Sequence, residues 1–200
     1  MKRIILASTS PRRQALLERL NIPFEVIGSE VDEDIAVENS PYERVKELSY
    51  LKASAVAKDI EGEAVIIGAD TVVTYLGRIL NKPSNRAEAV EMLKILQGKH
   101  HTVYTGLTVI YKDENGNSTS ETYVDGTDVE FTNISDGLIE KYVDTFEFSD
   151  KAGGYAIQGK ASIFIECIHG NYDNVVGLPI PLLYKSLKEH GIDITSFWAE

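Results

Sequence analysis

The 200-residue chain is 43% apolar and 26% charged, with a net charge of −11, which reads as a globular protein long enough for one well-buried domain. That acidic balance excludes a non-specific DNA- or RNA-binding role, which needs a basic footprint, but not a small anionic ligand where basic residues converge. The single Cys167 excludes an intramolecular disulfide framework and fits a reducing compartment. No run reaches the ~18 apolar residues of a membrane span, and the first apolar stretch is too short for a signal peptide. The expectation is therefore a cytoplasmic protein that engages neither a membrane nor a nucleic acid polymer.

In chain order, Arg3 to Ala7 predicts a short buried strand, and Leu16, Leu17 and Leu20 recur at helical spacing. Between them Ser8-Thr9-Ser10-Pro11-Arg12-Arg13 reads as a helix start, with Ser10 as cap and Pro11 at the first helical position. Arg12 and Arg13 place positive charge where the helix dipole is already positive, unfavourable by roughly 0.3–1 kcal/mol per charge. Two solvated arginines would account for the pattern. So would an anion held by hydroxyls, free N–H groups and guanidiniums.

Phe24 to Ile27 predicts a second strand, followed by an acidic loop with Glu30, Asp32, Glu33, Asp34 and Glu38. Ser40-Pro41-Tyr42-Glu43 forms a capping box, and the helix from Pro41 to about Lys58 carries Val45, Leu48, Leu51, Ala55 and Val56 on its apolar face. Lys52 projects from that stripe, either snorkelling at a lobe edge or reaching an internal anion. Ala64 to Val73 reads as a central strand in which Gly68 permits close backbone approach. Asp70 inside this run must be paired, metal-bound or catalytic.

Val72 to Leu80 predicts a hairpin around Gly77, and Lys82 follows in a loop. The next helix starts at Ser84 or Asn85, and from Arg86 to Gln97 it buries Val90, Leu93 and Leu96. Two strands, His100 to Lys112 and about Ser120 to Phe131, join at Asn115-Gly116, and Ser135 caps a further helix. His100 and His101 face opposite sides of a strand, poor geometry for a shared metal. Asp150 to Lys160 is a glycine-bearing loop. Cys167 sits in an alternating run that reads as a strand with a buried structural thiol. Gly170-Asn171-Tyr172-Asp173-Asn174 follows, a last helix opens near Pro179, and residues after Gly191 read as a tail.

Alternating strands and helices with a later antiparallel hairpin give a mixed α/β sheet flanked by helices. Arg12, Arg13, Lys52, Lys82 and Lys151, with Glu30, Glu33 and Asp70, supply what metal-assisted cleavage of a polyphosphate needs. The Walker phosphate-loop pattern is absent.

Six motifs in order, Ser8-Thr9-Ser10-Pro11-Arg12-Arg13, Gly68-Ala69-Asp70-Thr71, Lys82-Pro83, Asp150-Lys151-Ala152-Gly153, Ile157-Gln158-Gly159 and Val175-Val176-Gly177-Leu178-Pro179, resemble the Maf family of septum-formation-associated nucleoside triphosphate pyrophosphatases. The resemblance implies one Maf-like domain over residues 1–200, with an elongated sheet, two lobes around a central cleft, and an inosine triphosphatase-like (Maf/Ham1) fold. It implies hydrolysis of the α–β phosphoanhydride to a nucleoside monophosphate and pyrophosphate, with Mg²⁺ or Mn²⁺ as cofactor, in a homodimer. Carried over by motif, Asp70 is the proton acceptor, Ser8, Ser10, Arg12 and Arg13 bind phosphate, and Lys52 and Lys82 are the catalytic lysines. Glu33, with Glu30 as the alternative, is the acid of the loop after the second strand. Asp70, Glu33 and Glu30 are the metal candidates.

Arg12, Thr71 and Gln158 are similar to the dTTP/UTP pyrophosphatase subgroup, which implies house-cleaning of pyrimidine nucleotide pools. A glutamine amide offers a donor and an acceptor to a pyrimidine edge. The resemblance equally admits a nucleotide-binding regulator that inhibits septum formation with cleavage incidental. A metal-dependent phosphatase without base selection is the third reading.

Overall fold

The most apolar run of the chain, Ala64 to Val73, lies in the long β-strand Ala64–Tyr75 at the middle of one mixed sheet. The computed structural model describes residues 2–32 and 40–198. The strands, in chain order, are β1 (Arg3–Leu6), β2 (Glu25–Val26), β3 (Ala64–Tyr75), β4 (Arg78–Leu80), β5 (His100–Lys112), β6 (Ser118–Phe131) and β7 (Ile165–His169). Among the described residues the spatial order is β2-β1-β3-β5-β6-β7, with β4 folded back on the end of β3. The β2-β1-β3 segment is parallel and the pairs from β3 through β7 are antiparallel. This is the mixed α/β sheet expected from the sequence.

The helices are α1 (Pro11–Glu18), α2 (Pro41–Ala57), α3 (Arg86–Leu96), α4 (Asp136–Val143), α5 (Tyr172–Val176) and α6 (Ile180–Glu189). Strand alternation divides them between the two sheet faces. On one face α2 lies directly on β3 and β5, where Gly68 and Gly106 leave room for its backbone. A Cβ on Gly68 would stand 2.5 Å from Ser49 O and 2.7 Å from Ala53 N. For this reason the buried stripe of α2 runs through Ser49 and Ala53, while Leu51 and Ala55 stay half-buried, a shift from the stripe expected.

The opposite face carries two apolar clusters. One gathers Leu16 and Leu17 of α1, Leu183 and Leu187 of α6, and Val65, Ile67, Leu107 and Val109 of the sheet. The other gathers Val90, Leu93 and Leu96 of α3, Ile139 and Val143 of α4, and Val103, Val129 and Phe131. These are the two lobes. A polar seam lies between them: Thr105 Oγ1 donates to Asn174 O (2.9 Å), and Asn174 Nδ2 donates to Val103 O (3.0 Å) and Thr127 Oγ1 (2.9 Å). The buried seam is hydrogen-bonded across three elements, which fixes the lobes relative to each other.

Several local expectations hold and three need correction. Ser40, Asn85 and Ser135 each accept from the backbone N–H three residues on, capping α2, α3 and α4. Ser10 precedes α1 with Pro11 at N1, but its side chain makes no capping bond. The sequence leaves residues 170–174 unassigned, and there Asn171 caps the short α5 by accepting from Asn174 N. Residues beyond Gly191 are not a loose tail: Ile194 is buried in the first cluster and Trp198 Nε1 donates to Leu20 O. Cys167 is half-buried on the edge strand β7, not in the core, since among the described residues β7 pairs with β6 on one side only.

Candidate active site

The decisive feature is a gap along one edge of β3. β5 pairs with that strand from Ala64 to Thr74 on one side. On the other side β1 covers Ala64 to Ile67 and β4 covers Val73 to Tyr75. Gly68-Ala69-Asp70-Thr71-Val72 therefore has no neighbouring strand on that edge among the described residues. A cleft of about 740 Å³ opens there, within the range of small-molecule sites. The chain leaves β1 through α1 to reach β2 on one side while β3 lies on the other. This reversal of strand order leaves a crevice at the carboxyl ends of the strands.

The loop after β1 forms one wall. Ser8, Ser10, Arg12 and Arg13 all line the cleft. Arg13 Nε donates to Gly177 O at 2.8 Å, Nη1 to Ser8 Oγ at 3.1 Å and Nη2 to Thr71 Oγ1 at 3.2 Å. Its guanidinium thus ties the first motif to the third residue of Val175-Val176-Gly177 and to β3. Arg12 Nη1 stands 3.6 Å from Asp150 Oδ2, bridging to the glycine-bearing loop. The N-terminal N–H groups of α1 are left without a serine cap, as an anion site at a helix start requires.

The floor is Lys52 and Asp70. Asp70 sits on the same face of β3 as Gly68, and the close packing of α2 on Gly68 brings Lys52 Nζ to 2.6 Å from Asp70 Oδ1. The two side chains are only 11% and 9% exposed. Of the two sequence readings of Lys52, the internal partner is the one observed. Thr71 points to the opposite face, where Oγ1 meets Thr105 Oγ1 at 3.0 Å beside Arg13.

The far wall is the segment after β4 and the glycine-bearing loop. Lys82, Lys151 and Gln158 line the cleft there. Lys151 Nζ is held by Ser149 O and Asp150 Oδ1. Gly153 and Gly154 both take left-handed backbone conformations (φ 68° and 75°), which turns this loop towards β3. Tyr155 is anchored by His101, whose Nε2 lies 2.7 Å from its hydroxyl. Burial pushes the His101 imidazole down to about 4.

One cleft residue, Arg44, escaped the sequence reading. Arg44, Leu48 and Lys52 recur every four residues on α2, so the spacing that singled out Lys52 also pointed to Arg44. Of the acidic loop, Glu30 is exposed and does not line the cleft. Glu33 lies outside the described residues.

Arg12, Arg13, Arg44, Lys52, Lys82 and Lys151 converge around Asp70 and Asp150 in a protein of net charge −11. This is local anion selectivity against the global charge. The Maf-like protein family model matches residues 3–190. The chain belongs to the Maf family. Over 195 residues it is 50% identical to a dTTP/UTP pyrophosphatase of Bacillus anthracis, covering 98% of this chain and 99% of that relative. A dTTP/UTP pyrophosphatase of Bacillus cereus matches to the same extent. Among solved structures, a HAM1 protein from Coxiella burnetii aligns over 94% of this chain and 100% of its own at 16% identity, with a TM-score of 0.48.

Two further facts bear on the Maf chain's cofactors and setting. Among the described residues, Glu130, Cys167 and His169 bring ligand atoms within 4.8 Å of one another, a set able to coordinate a metal. Among the same residues, no helix is long and apolar enough to cross a membrane.

Proposed function

We propose that this Maf-family chain hydrolyses dTTP and UTP to the nucleoside monophosphate and pyrophosphate in the cleft beside β3. The observation that carries the reading is the placement of Asp70. It is a buried carboxylate at the unpaired edge of a strand, 2.6 Å from Lys52, facing a helix start rich in hydroxyls and guanidiniums. The 50% identity to proteins bearing that activity supports the choice of substrate.

The roles follow from position. Ser8, Ser10, the free N–H groups of α1 and Arg12 bind the phosphates, with Lys82 and Arg44 on the rim. Arg13 holds that loop in register with Thr71 and Gly177. Asp70 orients and deprotonates the water that attacks the α-phosphorus, and Lys52 fixes the carboxylate and offsets charge on the phosphoryl group. Gln158 presents a donor and an acceptor to the pyrimidine edge. A pocket that hydrogen-bonds one base discriminates strongly against another that leaves a buried group unpaired.

The cleft fits a hard divalent ion. Asp70 Oδ2 is an oxygen donor with no partner among the described residues, and such ions are held by one or two carboxylates plus substrate phosphates. Mg²⁺ or Mn²⁺ would be held by Asp70 together with Glu33, the exposed Glu30 lying off the cleft, and when bound would supply charge neutralisation on the leaving pyrophosphate. We read residues 1–200 as a single domain working in the cytoplasm, supported by one sheet shared by both lobes and by the lone cysteine. A homodimer is the assembly that the family resemblance implies.

The test is a product assay on the purified chain with each common nucleoside triphosphate and Mg²⁺ or Mn²⁺. Selective conversion of dTTP and UTP to monophosphate and pyrophosphate is expected. Release of orthophosphate and diphosphate, or tight binding without turnover, contradicts the proposal.

A further inference from the structure

A second cluster of chemically potent side chains lies apart from the cleft, where β5, β6 and β7 run side by side. Glu130 of β6 is the register partner of both His100 on β5 and Cys167 on β7, and His169 pairs with Asp128. Register partners and alternate residues share a sheet face, so all four side chains project from the same side. Cys167 Sγ lies 3.3 Å from Glu130 Oε2 and 3.5 Å from His169 Nε2. His100 Nε2 stands 3.5 Å from the other carboxylate oxygen, Oε1. None of the four lines the cleft.

We propose that Cys167, His169 and Glu130 form a binding site for a borderline-soft divalent cation of the zinc class, distinct from the hard-ion site of the cleft. The spacing is the first argument. A tetrahedral zinc with Zn–S near 2.3 Å and Zn–N and Zn–O near 2.1 Å separates its donors by about 3.3–3.6 Å. The two separations to the sulfur, 3.3 and 3.5 Å, match this, and all three ligand atoms lie within 4.8 Å of one another. The donor set is the second argument. Thiolate and imidazole favour zinc over magnesium or manganese, which prefer oxygen alone. His100 stands 3.5 Å from the second oxygen of Glu130, where an outer partner can orient a ligating carboxylate. Cys167 and Glu130 are half-buried and His169 is exposed, which leaves an entry path and room for a water as fourth ligand. Binding displaces the thiol proton to solvent and leaves the thiolate on the metal.

The consequence is structural. The ion would clip the edge strand β7 to β6, and β7 leads through Gly170 and Asn171 into α5. Val175 and Val176 of α5 line the cleft. The site thereby steadies one cleft wall without touching the substrate.

The test uses the full chain titrated with Co²⁺ as a spectroscopic stand-in for Zn²⁺. One equivalent is expected to give a near-ultraviolet thiolate-to-cobalt charge-transfer band and the visible bands of tetrahedral cobalt, both displaced by Zn²⁺ and not by Mg²⁺. Cys167→Ser abolishes the charge-transfer band, and His169→Ala weakens binding by more than the roughly 10–100-fold typical of outer-shell changes. Both variants keep the wild-type Mg²⁺-dependent turnover, which also shows that they fold, and Asp70→Asn keeps the band. Absence of the band in the wild-type chain, or unchanged cobalt affinity in Cys167→Ser and His169→Ala, overturns the proposal.

Discussion

Lys52 and Asp70 come from different layers of the fold, yet Lys52 Nζ lies 2.6 Å from Asp70 Oδ1 because Gly68 lets α2 settle directly onto β3. The contact joins packing to chemistry: two residues before Asp70, the absence of a side chain sets how close the lysine can come.

The pair separates stability from turnover. Asp70→Asn is expected to reduce turnover by about 10²–10⁴-fold, the range for loss of a general base. Nucleotide binding should persist, as read by calorimetry with a non-hydrolysable analogue. Lys52→Met alone leaves a buried carboxylate without its cation and should destabilise the fold by about 3–5 kcal/mol. The Lys52→Met/Asp70→Asn double variant should regain most of that stability in urea unfolding while remaining inactive.

Gly68→Ala should be destabilising in spite of the higher strand propensity of alanine. The new Cβ meets backbone atoms of α2, Ser49 O at 2.5 Å and Ala53 N at 2.7 Å, which cannot rotate away. Overpacking of this kind costs roughly 1–3 kcal/mol. Displacement of α2 should also lower turnover, so a fall in the unfolding midpoint accompanied by reduced kcat is expected. Unchanged values of both would contradict the close packing.

Arg13→Lys should not behave as a conservative change. The guanidinium spans Gly177 O, Ser8 Oγ and Thr71 Oγ1 at once, and a lysine ammonium cannot reproduce that planar fork. Three lost or weakened bonds at about 1 kcal/mol each predict a stability loss on the order of 2–3 kcal/mol and a raised KM. Denaturant unfolding and steady-state kinetics read the two effects.

The buried His101 gives a pH dependence with a definite sign. Its folded-state value is depressed to about 4 from the usual 6.5 because burial disfavours the imidazolium. Between those values the unfolded chain binds the proton and the folded chain does not. Stability is therefore full above about pH 6.5 and falls as the pH drops towards 4, by up to ~3 kcal/mol from this group. The unfolding midpoint of His101→Gln should vary less over that interval than that of the wild-type chain.

Much of this organisation is legible in the sequence, because the signals are local. Ser40, Asn85 and Ser135 announce helix starts, β5 is bounded by its alternation, and Asp70 stands out as a charge in an apolar run. What was missed depends on tertiary contact. The five-residue α5 is too short to show periodicity. The burial of Ile194 and the bond from Trp198 to Leu20 need α1 and the C-terminal segment to meet. Cys167 alternates like a core residue, but only the strand order reveals that β7 is an edge. Ser10 occupies a capping position and leaves its bond unmade. A local rule broken beside two arginines is what a phosphate-binding loop would leave in the sequence.

The central claim is that water attacks the α-phosphorus of a pyrimidine triphosphate under the control of Asp70. Hydrolysis of dTTP in ¹⁸O-enriched water, followed by mass analysis of both products, tests it most directly. The account predicts one ¹⁸O in the monophosphate and none in the pyrophosphate, with the rate collapsing in Asp70→Asn. Label in the pyrophosphate, or an Asp70→Asn variant that turns over near the wild-type rate, would contradict it.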